Sequence, residues 1–429
     1  MKLNNLGNVG INDLRKRLVF VFLILLIYRI GSHIPIPILD AKYIMDSFSD
    51  ENVGIFSLFN LFSGGALSKV TIFSLGIMPY ISSSIVVQLL SVVWDPIKKL
   101  KKEGVVGRKK ISDYTRYLTV VFSTFQAITM SKFMLSVSDL SDISFLHYLV
   151  VIITLVSGTL FLMWLGEQIN EKGIGNGISL IIFTSIVSNI PRSIGSSLEK
   201  LRQGEVGFLA ILLFLVLLII IIFFIVFIER AQRKILINYS KRQQGRKIYA
   251  AQSTYLPFKI NMSGVIPPIF ASSIILFPVT LMQWFDQTSS NLFFHNIKNM
   301  LLPGNPLYIF LFGIAIIFFC FFYTALVFDS KETAENLKRS GGFIHGIRPG
   351  SQTALYIKKI VNRLTSLGAV YLTLVSLLPE FLVLFADIPF YFGGTSLLIV
   401  VVVVMDFVTQ VQTKMISYKY NGLIKRRNL

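Results

Sequence analysis

The sequence predicts an all-α, polytopic membrane protein. Of the 429 residues, 53% are hydrophobic and 15% are charged, and the mean hydropathy is +0.68. The apolar residues gather into ten runs, most of them close to the roughly 20 residues that cross a bilayer as a helix. The runs cover residues 18–38, 71–93, 117–134, 149–165, 178–190, 208–228, 262–284, 307–328, 364–378 and 392–411.

The lengths of the runs predict one bundle with no separate soluble domain. The fifth run (178–190) and the ninth (364–378) are shorter than a full span. Short spans are stable where neighbouring helices, and not lipid, surround them. We therefore expect these two helices to be shielded inside the bundle.

The basic residues follow the runs in a regular alternation. Of the 41 Lys and Arg residues, 33 fall in the N-terminal arm, in every second gap between runs, and in the C-terminal tail. Short loops rich in Lys and Arg stay on the cytoplasmic side. The pattern predicts a membrane protein with an even number of spans and both termini cytoplasmic. It also accounts for the net charge of +19 without nucleic acid.

Several kinds of site are excluded by what the sequence lacks. The single cysteine, Cys320, allows no disulfide within the chain and no cysteine metal site. We find no G-x-x-x-x-G-K-[ST] phosphate loop, so we expect no nucleotide hydrolysis. The first run is not a secretory signal, because no small-residue cleavage site follows it and the chain goes on to Arg29. We predict no catalytic residue, no cofactor and no metal.

A weak internal repeat predicts two inverted halves. Residues 76–84 (GIMPYISSS) and 264–272 (GVIPPIFAS) share Gly, Pro, Ile and Ser at matching positions. They open the second and seventh runs, so the two stretches cross the membrane in opposite directions. Chance remains the alternative, because Ile and Ser are common here. Inverted repeats of five plus five spans place the functional path at their interface.

The predicted spans are poor in charge. The centres of spans two to nine contain no ionisable residue, whereas ion-coupled carriers need one. A narrow apolar constriction still holds back ions by dewetting. This favours a passage for something large over an inverted-repeat secondary transporter of a small solute, which is the alternative. A membrane-embedded enzyme is disfavoured because all four histidines fall in or beside loops.

Two further segments point away from simple spans. Residues 55–67 are apolar but interrupted by Ser, Asn and Gly-Gly, which predicts a short re-entrant helix; a helix lying flat at the interface is the alternative. The cytoplasmic loops 229–261 and 329–363 are basic and longer than orientation requires. Either their charges only set the topology, or they form a docking surface for ribosomal RNA or an acidic protein.

Six stretches give the chain a resemblance to the SecY/Sec61-alpha family of protein-export channels over essentially its whole length. They are residues 59–68 (FNLFSGGALS), 76–82 (GIMPYIS), 163–169 (MWLGEQI), 173–179 (GIGNGIS), 241–246 (KRQQGR) and 389–396 (PFYFGGTS). The resemblance implies ten transmembrane helices in two pseudo-symmetric halves around a central pore. The halves would be residues 1–190 and 207–413, joined by an external hinge loop at 191–206 and followed by a cytoplasmic tail at 414–429.

The resemblance also implies roles for particular residues. A pore ring would be formed by Ile77, Ile81, Ile178, Ile182, Ile269 and Ile399. A plug near 55–67 would include Phe59, Asn60, Phe62, Ser63, Gly64 and Gly65. A lateral gate between spans two and three and spans seven and eight would include Ser84, Gln88, Ser272 and Phe277. Docking contacts would come from Arg242, Arg246, Lys247 and Arg348.

The implied activity is passive protein translocation, with sideways release of membrane segments into lipid. The implied partners are SecE and SecG, the motor ATPase SecA, the ribosome with its nascent chain, signal peptides, membrane lipid, and the accessory factors SecDF and YidC. Two residues depart from the expected pattern. Pro268 follows Pro267 in a gate span, and Lys247 replaces an arginine, turning a planar bidentate contact into a point charge.

Overall fold

A computed structural model describes residues 5–39, 63–137, 144–204, 207–239, 242–244, 247–249, 253–288, 305–386 and 394–427. These residues are mostly helical, as the sequence predicts. The helices are α1 Asn5–Gly31, α2 Met78–Val93, α3 Asp95–Lys102, α4 Val105–Val137, α5 Phe145–Lys172, α6 Gly177–Gln203, α7 Phe208–Arg230, α8 Ile266–Thr288, α9 Pro306–Val327, α10 Ser330–Ser340, α11 Ser351–Ala386 and α12 Gly394–Arg427. The strands are β1 Gln232–Tyr239, β2 Arg242–Gln244, β3 Lys247–Tyr249, β4 Ser253–Lys259 and β5 Gly342–Phe343.

Within the described ranges, 5 helices are long and apolar enough to cross a membrane. They lie at Val105–Leu135, Phe145–Lys172, Pro306–Ser340, Ser351–Leu378 and Gly394–Tyr418. A sixth candidate is the pair α2 and α3, bent by 98°. Two shorter apolar helices, Gly177–Pro191 and Ile266–Leu276, fall on the fifth and seventh predicted runs. The helical membrane fold is thus confirmed, and the total of ten spans stays a prediction.

The chain separates into two compact units. One comprises Met1–Ala210, Ser272–Tyr308 and Ile399–Leu429. The other comprises Ile211–Ala271 and Ile309–Leu398. In the first unit, α2 packs on α4, and α5 packs on α1, α4 and α6. In the second, α10 packs on α11, and the strands lie beside them.

The second apolar run begins without a helix. Residues 64–77 form successive turns, and α2 starts only at Met78. Pro79 lies in the first turn of α2, where a missing backbone N–H removes no helical hydrogen bond. The turns are tied to the chain that follows α1, where the amide of Ile36 donates to the carbonyl of Val70 at 2.8 Å. The first seven residues of this predicted span, 71–77, are therefore irregular backbone.

Two of the three prolines of the seventh run lie at the start of their helix. Pro267 and Pro268 occupy the first turn of α8, and Pro278 lies inside it. The first four amides of a helix have no partner within the helix, so neither Pro267 nor Pro268 interrupts the hydrogen-bond ladder. The double proline therefore shapes the entry to α8, whereas Pro278 removes a backbone donor from its interior.

Two segments predicted as non-helical are helical. α6 continues through Pro191 to Gln203 and covers most of the segment 191–206. α12 extends to Arg427, far into the segment predicted as a tail. The stretch from Glu199 to Gln203 is rich in strong helix formers, which explains the first extension. The second is supported by contacts described below.

The loop 229–261 carries β structure that the sequence analysis did not anticipate. β1 pairs antiparallel with β4, with Ile235 opposite Leu256, and β5 adds a short third strand on the other side of β1. Ile235 and Ile237 are buried while Leu236 is exposed, the alternation of a half-buried strand. A small apolar core lies beneath the sheet, formed by Ile235, Phe258, Ile344, Ile357, Val361 and Leu364.

Candidate functional site

The described end of the predicted plug lies directly against α6. A Cβ added to Gly64 would come within 2.9 Å of the Cα of Ser185, and one on Gly65 within 3.0 Å of Asn189 Oδ1. Both glycines have positive φ, +70° and +79°, a conformation that favours glycine. Ser188 Oγ donates to the carbonyl of Gly64 at 3.2 Å. Close approach and backbone conformation thus both require glycine here.

Tyr28 of α1 joins this segment to α6. Its hydroxyl donates to the carbonyl of Ser63 at 3.1 Å and is hydrogen-bonded to Ser185 Oγ. The side chain is 1% exposed, and its ring stacks on Phe73 with centroids 5.9 Å apart. No local sequence pattern indicates this role for Tyr28, because its partners are 35 and 157 positions away.

The turns that follow are held by short polar side chains. Ser68 Oγ donates to the carbonyl of Gly65 at 3.0 Å, and Thr71 Oγ1 and Ser74 Oγ donate to that of Ala66 at 3.2 and 3.1 Å. Such contacts satisfy backbone groups that a helix would satisfy internally, which is the condition for irregular backbone at membrane depth. Of the other predicted plug residues, Phe59, Asn60 and Phe62 lie outside the described residues.

The six predicted ring isoleucines all lie near the beginnings of helices. Ile77 caps α2 and Ile81 is one turn further along; Ile178 and Ile182 are one turn apart on α6. Ile269 is in the first turn of α8 and Ile399 near the start of α12. Five are buried, with Ile178 half-buried and resting near Gly166 of α5. That the six line one pore stays a prediction.

Two of the predicted gate residues contact each other. Gln88 Nε2 donates to Ser84 Oγ at 3.0 Å along α2. Ser272 is buried on α8. Phe277 lies on the same helix, and its side chain is not among those that the structure describes. One contact between α2 and α8 is made by the neighbouring residue, Ser273, whose hydroxyl lies 3.8 Å from the sulfur of Met78. That these residues form a lateral gate stays a prediction.

The predicted docking residues lie on the two long basic loops, 229–261 and 329–363. Arg348 is exposed in a turn that Gly350 closes with a φ of +109°. Thr353 Oγ1 donates to the carbonyl of Arg348 at 2.9 Å and fixes that turn at the start of α11. In the backbone of the β2–β3 hairpin, Arg242 pairs with Tyr249 and Lys247 with Gln244. Arg246 lies outside the described residues.

Further cations lie along α11. A groove is lined by Phe321, Leu355, Lys358, Lys359, Asn362, Arg363 and Ser366. The three basic side chains of this groove are exposed. The described part of the second unit thus presents exposed cations on the helix that follows Arg348. In the described ranges, no group of three His, Cys, Asp or Glu residues could hold a metal ion.

A separate polar cluster joins both ends of the chain. The hydroxyl of Tyr418 on α12 donates to the Asp13 carboxylate on α1, and Arg17 Nε donates to the same oxygen at 3.0 Å. The hydrogen bond from Tyr418, followed by that from Arg17, lowers the pKa of Asp13 below its ordinary value of 3.8. Asp13 therefore stays ionised at neutral pH and fixes the end of α12 beside α1.

The sequence model of the SecY family matches residues 71–408. Among curated relatives, the protein translocase subunit SecY of Vibrio cholerae is 55% identical over 98% of this chain and 96% of its own length. The proteins of that name from Escherichia coli K12 and Pseudomonas aeruginosa are 54% and 53% identical. These alignments cover 98% and 100% of this chain, and 96% and 97% of those proteins.

Solved structures share the fold at low sequence identity. A structure described as that of a protein conducting channel aligns with a TM-score of 0.70 and 19% identity, covering 94% of this chain and 93% of that one. Sec61 in a canine ribosome-channel complex aligns with a TM-score of 0.68 and 18% identity, covering 94% and 93%. Together with the family match and the close relatives, these similarities show that the chain belongs to the SecY family.

Proposed function

We propose that this protein is the channel subunit of a protein translocase, a passive conduit for unfolded polypeptides. The proposal rests on the close packing of Gly64 and Gly65 against α6, and on the hydrogen bond that the Ser63 carbonyl accepts from Tyr28. A segment of turns at membrane depth, tied to its neighbours by hydrogen bonds and not continued as a helix, suits a removable stopper better than a permanent span. The name of the bacterial relatives, protein translocase subunit SecY, supports it.

In this proposal the plug 55–67 closes the outer side, and six isoleucines close the waist. These are Ile77, Ile81, Ile178, Ile182, Ile269 and Ile399. Aliphatic side chains offer water and ions no hydrogen bonds, so a narrow ring of them dewets and blocks ion flow. A polypeptide entering from the cytoplasm displaces the plug and spreads the ring, which then fits around it and limits leakage.

The lateral gate releases apolar segments into lipid. Its lips carry Ser84 and Gln88 on α2 and Ser272 and Phe277 on α8. A hydroxyl–thioether contact such as that of Ser273 with Met78 is weak, so it opposes opening little. Burial of apolar surface in lipid is favourable by about 25 cal/mol per Å², so a sufficiently apolar segment leaves sideways.

The energy for transport comes from partners on the cytoplasmic side. Arg242, Arg246, Lys247 and Arg348, on the two basic loops, dock the motor ATPase SecA or the ribosome. Solved structures related in fold include ribosome-bound channels, which supports the ribosome as one partner. SecE and SecG form a heterotrimer with this chain, signal peptides and lipid contact the gate, and SecDF and YidC act beside the channel.

The protein resides in the inner membrane with both termini cytoplasmic, and hydrolyses nothing itself. Its two inverted halves are residues 1–190 and 207–413, with the hinge at 191–206. The basic loops 229–261 and 329–363 and the tail from 414 face the cytoplasm. The alternation of basic loops supports this topology, because Lys and Arg in short loops resist translocation.

Site-specific photocrosslinking tests the conduit directly. A photoreactive residue is placed at Ile81, at Ile269, and at Phe223 of α7 as the control, since Phe223 is 71% exposed on an apolar helix. A precursor is then stalled midway through reconstituted membranes. Crosslinks to the precursor from both isoleucine positions and none from the control support the proposal. Absence of crosslinks at both positions, although the precursor is stalled in the membrane, contradicts the proposal.

A further inference from the structure

We propose that Tyr28 is a positioning residue that holds the base of the plug in its closed seat. This rests on the proposed function as a plugged channel, but it concerns a residue outside the plug, ring, gate and docking sets. The Tyr28 hydroxyl lies between α1, the plug base at Ser63 and α6 at Ser185. One side chain therefore connects three separate parts of the chain at the point where the plug segment begins its turns.

Counting the hydroxyl hydrogens assigns the bonds. The hydroxyls of Tyr28 and Ser185 carry one hydrogen each. Three contacts compete for them: Tyr28 with the Ser63 carbonyl at 3.1 Å, Ser185 with the Ile181 carbonyl at 2.9 Å, and the contact between the two hydroxyls. A carbonyl accepts and cannot donate, so the bond to Ser63 uses the tyrosine hydrogen, and the bond between the two hydroxyls then uses the serine hydrogen. Without the tyrosine hydroxyl, Ser185 turns its hydrogen to the Ile181 carbonyl, whereas the Ser63 carbonyl loses its bond to Tyr28.

The ring of Tyr28 is held independently of its hydroxyl. It stacks on Phe73, which in turn stacks on Phe161 of α5 with centroids 6.2 Å apart. Phe73 also fills the space beside Gly31, where an added Cβ would lie 2.2 Å from a ring carbon. Tyr28→Phe should therefore keep the packing and remove the hydrogen bonds alone. The variant separates the hydroxyl's role from that of the aromatic core.

The size of the effect fits a releasable tie. Side-chain hydrogen bonds between membrane helices are individually modest in measured cycles. Loss of one or two of them should raise the open population of the plug about three- to tenfold. A tie of that strength keeps a resting channel shut and still yields to an incoming polypeptide.

The test uses the whole chain, purified with the subunits that accompany it and reconstituted in planar bilayers. Resting ion conductance is compared between the unmodified protein, Tyr28→Phe and Ser185→Ala. We expect a rise of about three- to tenfold for Tyr28→Phe and a smaller one for Ser185→Ala, because in that variant Tyr28 still donates to Ser63. Tyr371→Phe is the matched control, since in the described residues its buried hydroxyl has no hydrogen-bond partner.

The outcomes separate this inference from the proposed function. Each variant is also assayed for export of a normal precursor and of one with a weakened signal sequence. Normal export of the first, with improved export of the second by Tyr28→Phe alone, supports the tie. Unchanged conductance and unchanged export of the weakened precursor by Tyr28→Phe overturn it, while the conduit stands. Failure of the unmodified protein to export either precursor contradicts the proposed function itself.

Discussion

Arg116 on α4 donates to both carboxylate oxygens of Glu167 on α5, with Nε–Oε1 at 2.9 Å and Nη2–Oε2 at 2.8 Å. A third donor, Nη1, reaches Asp113 at 3.1 Å. Glu167 belongs to the stretch 163–169 that contributes to the family resemblance. Its side chain is 18% exposed and that of Arg116 is 43% exposed. A bidentate pair with one shielded partner is stronger than an ordinary surface ion pair.

Breaking this pair should destabilise the protein by about 1–2 kcal/mol, because Glu167 is then left partly buried without its fork of donors. Arg116→Ala should lower the thermal unfolding midpoint in detergent, measured at one scan rate. Arg339→Ala is the control: its partner Glu335 is 3.8 Å away and both side chains are mostly exposed, so the midpoint should hardly move. The double exchange Arg116→Glu with Glu167→Arg should recover part of the loss; no recovery would contradict a direct pairing.

Gly64 and Gly104 have the same φ of +70° but different surroundings, so they separate strain from crowding. Gly104→Ala meets nothing within 4 Å and should cost only the left-handed backbone penalty of about 1–2 kcal/mol. Gly64→Ala should cost more, because its Cβ would also press against Ser185. We expect Gly64→Ala alone to raise resting ion conductance. Equal behaviour of the two variants in conductance and thermal stability would show that the plug base is not tightly seated.

The sequence predicted the helices well and their ends poorly. The bilayer requires apolar helices and places basic residues in alternate loops, so the apolar runs and the helical class were predictable from the sequence. The late start of α2 at Met78 was not, because residues 71–77 are as apolar as the rest of the run and hydrogen bonds such as those of Thr71 and Ser74 distinguish them. The β1–β4 pairing was missed because its alternation covers few residues beside a long basic loop.

The candidate site divides in the same way. Ser63, Gly64 and Gly65 could be selected through the family resemblance, and the positive φ of both glycines agrees with the irregular backbone expected there. Tyr28 and Ser185 could not, because their roles depend on a contact between residues 157 positions apart. Likewise, the continuation of α12 past its predicted span is supported by the bond from Tyr418 to Asp13, a contact between residues 405 positions apart that no local pattern indicates.

The link between Asp13 and Tyr418 should depend on pH. Because the folded-state pKa of Asp13 lies below 3.8, the link stabilises the end of α12 above that pH and is lost as the pH falls through the lowered value. Spin labels at the exposed positions Arg15 and Ile416 report the separation of α1 and α12. The distance should be constant from pH 7 to about 4 and broaden as the pH falls further. Tyr418→Phe removes the hydrogen bond that joins α12 to Asp13, so the distance should be broad at every pH; an unchanged profile would rule out the link.

The ring isoleucines give a prediction about the seal. Replacing Ile81 and Ile269 with Asn should hydrate the constriction and raise resting ion conductance, because the amide offers water the hydrogen bonds that isoleucine withholds. Replacement of the same residues with Leu is the control, since it keeps the surface apolar and should preserve closure. Planar-bilayer recordings provide the measurement. Conductance unchanged by Asn at both positions would mean that these residues do not form the seal.

Arg348 gives a prediction about docking. Its turn is fixed at the start of α11 by Thr353 and Gly350 and rests on the core containing Ile344 and Ile357, so the guanidinium is presented by a rigid base. Arg348→Glu should reduce motor-driven export at least about tenfold by reversing charge where an acidic or phosphate-bearing partner binds. Lys331→Glu makes the same charge change in the first turn of α10, where a negative residue suits the helix dipole, and should leave export near normal. Normal export by Arg348→Glu in a reconstituted assay would contradict docking at this turn. Equal loss by both variants would indicate that the overall charge of the loop matters, and not this residue.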